Sequence, residues 1–167
     1  MKRFCIMLLL ISILFCFTAC TPSEKQIDWS LNGTWIQNGQ ATQNTVAFTI
    51  TGAIPIKADP GGPAQSLSLS TSWPEGFTYA NQNETPFSCN AFPSKDTEAS
   101  AIFVMFGTAY NKETKLPTPM VIYLCPEKEY VVVQWRDNTD LYLAASTDAN
   151  ADTDAILAHF HGLIITD

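Results

Sequence analysis

The chain has 167 residues, 46% of them hydrophobic and 15% charged, with 16 Asp and Glu against 9 Lys and Arg, for a net charge of −7. That length suits one domain able to bury a proper core, and the apolar share excludes a disordered polymer. The acids are scattered and the cations form no patch, so the charge reads as a solubilising surface and excludes nucleic acid as a partner, because phosphate contacts need clustered Lys and Arg.

Lys2 and Arg3 precede an apolar run from Phe4 to Phe17, interrupted only by Ser12. A charged start, a short apolar core and small residues before a cleavage point make a secretory signal. The run is shorter than the ~20 residues a spanning helix needs. It ends in Phe17-Thr18-Ala19-Cys20, which resembles the lipobox of bacterial lipoproteins, with Phe17 in place of the usual Leu. The resemblance implies cleavage before Cys20, acylation of its thiol with a palmitate-type diacyl or triacyl group, and anchoring outside the cytoplasmic membrane. Several acyl chains make such an anchor stable where one would not. Thr21, not Asp, follows the Cys, which by that family's sorting habit implies the outer membrane in a diderm cell. A retained short anchor and an unlipidated signal are the alternatives. The expected organisation is a signal peptide over 1–19, a lipidated tether over 20–27 with Pro22, and one β-domain over 28–167. Cutting before Cys20 leaves 148 residues and removes Lys2 and Arg3, so seven cations face sixteen acids, a net of −9.

Of five cysteines, Cys5 and Cys16 leave with the signal and Cys20 carries lipid, so Cys89 and Cys125 remain. Two cysteines left over in an exported domain predict a disulfide. Closing thirty-six residues of chain, it would stabilise by about 3–4 kcal/mol in the chain-entropy picture. A Cys nucleophile paired with His159 or His161 is the other use, and it needs a reduced compartment.

Short apolar runs divided by turn residues predict an all-β domain. In chain order they are Thr34–Gln37, closed by Asn38-Gly39; Thr45–Thr51, with Val46, Phe48 and Ile50 on one face; and Ser66–Trp73, where Leu67, Leu69 and Trp73 alternate with serines. Phe77–Ala80 and Phe87–Phe92 are weaker. Ala101–Tyr110 and Pro117–Cys125 are apolar on both faces, and Tyr130–Arg136 turns through Asp137-Asn138-Thr139-Asp140 into Leu141–Ala145. These last four are joined too tightly for crossovers, so they form an antiparallel meander. Strands apolar on both faces need cover on both sides, in a closed barrel or in a capped sandwich. Asp152–Phe160 predicts the one helix, with acids in its first turn, Ile156, Leu157 and Phe160 at helical spacing, and Gly162 as its stop. A strand over Leu163–Thr166 follows.

Leu31-Asn32-Gly33-Thr34-Trp35 places a Gly-x-Trp on the first strand, which resembles the start of the calycin barrels, the lipocalins and avidins. The resemblance implies a single antiparallel barrel, with Trp35 as a plug at one end and Gly33 allowing a tight bend. Trp73, at a strand end, is expected to be exposed. Gln37 falls where avidins carry a biotin-contacting Asn, and the next contact, a Ser, has only Ala41 nearby.

Asp148, Asn150, Asp152 and Asp154 put side-chain oxygens at alternate positions, like the front half of a calcium loop. Thr153 stands where the loop wants Gly, and His159 where it wants the bidentate Glu. The same residues serve as a polar loop capping a helix. His159 and His161 would meet on one metal only in a strand. Glu127 and Glu129 sit in a turn and read as solvated acids. No nucleophile elbow, HExxH or phosphate loop is present. The reading is therefore a non-enzymatic lipoprotein without a cofactor, binding a small apolar or amphipathic ligand. The alternative is an envelope structural or protein-interaction lipoprotein with a packed interior.

Overall fold

The computed structural model describes residues 24–55, 65–81, 87–93 and 101–164. The expected signal peptide and Cys20 lie outside them. Ten strands follow in order: β1 (Glu24–Gln37), β2 (Gln40–Pro55), β3 (Gln65–Leu67), β4 (Leu69–Ser72), β5 (Tyr79–Asn81), β6 (Phe87–Pro93), β7 (Ala101–Asn111), β8 (Pro117–Cys125), β9 (Tyr130–Trp135) and β10 (Asn138–Ser146). Among the described residues one helix, α1 (Thr153–His159), comes last.

Every ladder is antiparallel; β6 to β10 pair in chain order, β10 returns to β1, and β1 pairs with β2. β3 and β4 are one strand broken at Ser68: β3 pairs with β6 while β4 pairs with β2. β5 and β6 lie end to end along β7, on Ala109–Asn111 and Ala101–Phe106 respectively. The result is an eight-stranded up-and-down barrel with one unsealed seam, at the break where each half of the third strand pairs on one side only. This arrangement is consistent with a calycin-like fold, and it decides for a barrel over a sandwich.

The alternation that builds the barrel is clearest in β1, where Ile27, Trp29, Leu31 and Gly33 point inward and Asp28, Ser30 and Asn32 face solvent. Residues 24–27, expected as tether, are sheet: Glu24 to Ile27 pair with Pro55 to Gly52. The expected strand over Ser66–Trp73 is interrupted at Ser68. There Gly52, at a positive φ of 149°, brings β2 so close that a Cβ would lie 2.5 Å from the Ser68 carbonyl oxygen. Gly33 also makes room for β10, because a Cβ there would meet Leu143 Cδ1 at 2.8 Å and Ala145 Cβ at 3.2 Å, and the β1–β2 register shifts just after it, between Thr34 and Ile36.

Two apolar clusters account for the strands without a wet face. Phe103, Met105, Met120, Ile122, Val131, Val133 and Leu143 fill the barrel. Val104, Tyr123, Val132, Tyr142 and Ala144 project outward and are covered by Ile156 and Phe160 of the α1 region. The helix starts where expected: Asp152 is its N-cap and its carboxylate accepts the Asp154 N–H at 3.1 Å. Gly162, at φ 86°, follows its end. Leu163 and Ile164 are turn residues folded back on Phe160, whose carbonyl accepts both their N–H groups. The predicted final strand is therefore not formed at these two positions, and the rest of it lies outside the described residues.

Candidate functional site

The turns after β1, β7 and β9 and the loop of residues 73–78 share one end of the barrel. Six aromatic side chains gather there because each sits at or near the end of an inward-facing row. Trp73 stacks on Phe77 at 4.7 Å and 7°, and on Phe48 at 4.5 Å and 20°. Trp35 stacks on Phe77 at 5.7 Å and 15°, and Tyr79 on Trp135 at 4.4 Å and 10°. Trp135 touches Trp35, Trp73 and Phe77 with tilted rings. Trp135 is 1% exposed, whereas Trp35, Trp73 and Phe77 are half-buried. The array thus runs from the closed core toward solvent. The N–H groups of Trp73 and Trp135 are both buried without a hydrogen-bond acceptor.

The division of labour between Trp35 and Trp73 is therefore not the expected one. Trp73 is no exposed strand end, and Trp35 is no solitary plug; both belong to one stack, and Trp135 closes the core beneath them.

Asp137, in the β9–β10 turn, holds this end together. Its carboxylate accepts the Tyr79 hydroxyl at 3.0 Å, the Asn111 amide at 3.0 Å and the Thr118 hydroxyl at 3.3 Å. Asn111 in turn accepts the N–H groups of Glu113 and Thr114 and so folds the β7–β8 turn. Burial, first, and then the bond to Asp137 push the Tyr79 hydroxyl well above the usual tyrosine range.

On the outer surface beside the same turn, an open groove of about 570 Å³ is lined by Phe106, Leu116, Pro117, Pro119 and Arg136. Phe106 and Leu116 are 41% and 61% exposed there.

The expected disulfide does not form: Cys89 and Cys125 are both buried and not joined to each other. The sheet separates them. Cys89 pairs with Met105 and faces the barrel interior, whereas Cys125 belongs to the outer cluster under the helix. No disulfide can cross the sheet that divides the two side chains. Burial pushes the Cys89 thiol up to about 11, which leaves it protonated and unreactive at neutral pH. His159 lies among Tyr130 and Phe160 on the outer face, remote in chain position and side from Cys89.

Two of the four calcium-loop candidates, Asp148 and Asp152, accept backbone N–H groups. Asp148 accepts the Asn150 N–H at 2.9 Å, Asp152 caps the helix, and Asn150 and Asp154 are exposed. Among the described residues no three His, Cys, Asp or Glu gather as a metal-binding group. Glu129, expected as a solvated acid, accepts the Thr147 hydroxyl. Gln37 and Ala41 are exposed, away from the barrel interior where a biotin-type contact would lie.

Sequence reasoning missed Phe77, Tyr79, Asn111 and Asp137 as members of one site. Their signal is weak because they come from four turns or strand ends far apart in the chain. No protein-family profile matches this sequence, and no curated protein or solved structure matches it.

Proposed function

We propose that this chain is a membrane-anchored, exported lipoprotein whose barrel binds a small apolar or amphipathic ligand without transforming it. The observation that carries the reading is the half-buried aromatic stack at one barrel end, Trp35, Phe77 and Trp73, which rests on the buried Trp135. Parallel ring faces that reach solvent bind a flat or apolar surface well, because they contribute large contact area at little entropic cost. The loop that carries Trp73 and Phe77 follows the strand broken at the unsealed seam, where no ladder holds the β4 edge against β5. Opening there breaks fewer backbone hydrogen bonds than elsewhere around the barrel.

Native mass spectrometry of the protein as purified tests the reading. A small molecule retained by the parent and lost from a Phe77→Ala variant is the expected result. A bare parent that also gives no change in Trp fluorescence with any apolar probe refutes it.

A second reading has its own support. Phe103, Met105, Met120 and Ile122 fill the barrel's middle, which suits an envelope structural or protein-interaction lipoprotein acting through its outer face. The exposed Phe106 and Leu116 would then lie at the contact, and their replacement by Ser would abolish association while leaving the aromatic end unchanged.

The anchor rests on the lipobox-like Phe17-Thr18-Ala19-Cys20. Cys20→Ser should release the protein from the detergent phase or leave it unprocessed. An unchanged mature mass and unchanged partitioning would overturn it.

A further inference from the structure

We propose that the aromatic end takes a neutral ligand with a flat apolar body and a carbonyl-type oxygen, and that Trp73 and Trp135 donate their indole N–H groups to that oxygen. The inference rests on the binding reading above and names the ligand class.

Buried Trp N–H groups ordinarily find an acceptor, since a donor removed from water without one keeps its full desolvation penalty. Here two such donors occur in a single cluster, on Trp73 and on Trp135. Their ring centroids are 5.6 Å apart and the planes are tilted by 58°, so the two indoles are direct neighbours. A carbonyl oxygen has two lone pairs and accepts from two donors at once. The third polar group of the cluster is already committed, because the Tyr79 hydroxyl donates to Asp137.

The surroundings select against an anion. The interior cluster is apolar and aromatic, and among the described residues no Lys, Arg or His is buried. The ionised groups that act on Tyr79, at the cluster's edge, are Asp137 and Glu113, both acidic. A carboxylate ligand would lose its hydration, meet no buried cation and face two like charges. A ketone oxygen avoids all three costs. The flatness of the ligand follows from the ring planes: Trp73 with Phe77, Phe48 with Trp73 and Tyr79 with Trp135 all lie within 20° of parallel, and a planar body extends such a stack.

Three probes of similar size separate the terms: acetophenone, ethylbenzene and benzoate. The detergent-purified protein, with its indole nitrogens labelled, is titrated with each and followed by the N–H resonances of its tryptophans. Acetophenone should move two indole resonances downfield, and bind on the order of tenfold more tightly than ethylbenzene, the effect of one hydrogen bond formed to a buried donor. Trp135→Phe and Trp73→Phe keep a ring and remove the donor. Each should lose one of the two shifts, and each should lower acetophenone affinity by more than it lowers ethylbenzene affinity. Equal binding of acetophenone and ethylbenzene without an indole shift overturns the donor assignment and leaves the apolar binding reading standing. Benzoate binding as tightly as acetophenone overturns the neutral-ligand assignment. If no probe binds, the binding reading itself fails. Because the preference and the shifts are read in the parent protein, a variant that fails to fold does not remove the test.

Discussion

Gly33→Ala isolates the close approach that lets β1 and β10 share one barrel wall. The added methyl would sit 2.8 Å from Leu143 Cδ1, 2.9 Å from its Cγ and 3.2 Å from Ala145 Cβ. Leu143 and Ala145 are fully buried, so Leu143 has nowhere to swing without disturbing the filled interior. Overpacking of this kind costs about 1–3 kcal/mol. One effect opposes it: Ala has less unfolded-chain entropy to lose than Gly, which contributes roughly 0.4–1 kcal/mol. The balance is a loss of about 0.5–2 kcal/mol, and at ~2–4 °C per kcal/mol for a domain of this size the melting temperature should fall by roughly 1–8 °C. Leu143→Ala alone should cost ~2–5 kcal/mol through its cavity. In the double variant the two changes compensate, because the new methyl projects into the space the leucine vacates, and the coupling should be ~1–2 kcal/mol in favour of the pair. Circular dichroism melts of the parent, both single variants and the double variant measure it. A Gly33→Ala protein that melts at or above the parent, or strictly additive losses, would refute the close-approach account.

Three further outcomes follow from the same packing. Stability should decline in alkali: burial raises the Cys89 thiol from 9.0 to about 11, so its contribution is complete below pH 9 and disappears as pH rises through 11. Two units correspond to about 2–3 kcal/mol, and urea midpoints at pH 8 and pH 11 should differ by more in the parent than in Cys89→Ala; equal differences would dismiss the thiol as the cause. Asp137→Ala strands the Tyr79 hydroxyl and the buried Asn111 amide and should cost roughly 2–3 kcal/mol, while the absorbance titration of Tyr79 moves down; an unmoved tyrosine titration would contradict the carboxylate's role. Peptide mapping after denaturing, non-reducing alkylation should find Cys89 and Cys125 both labelled, and a bridged peptide would contradict their placement on opposite faces of the sheet.

Much of this fold is written locally. Val46, Phe48 and Ile50, or Val131, Val133 and Trp135, show the period of two that a half-buried strand requires, and the short turns between β7 and β10 permit only antiparallel neighbours. Asp152 and Gly162 bracket a helix by capping chemistry that involves a few adjacent residues. Ile27, Trp29 and Leu31 carry the same alternation, yet the polar residues before Ile27 read as tether, since nothing local says that they will find β2 as a partner. What depends on a face could not be read. The side of the wall on which Cys89 and Cys125 lie is set by strand register, and a shift of one residue would reverse it. Gly33 reads only as a bend; that it also makes room for Leu143, more than a hundred residues later in the chain, is not written locally. The aromatic end is the furthest from legible: Trp35, Trp73, Phe77, Tyr79 and Trp135 meet only when the barrel closes, because their contacts are made across the interior between strands that are not neighbours in sequence. The sequence by itself determined strand content and the helix. Barrel closure alone decided which side chains face one another, and so which donors are left buried at its end.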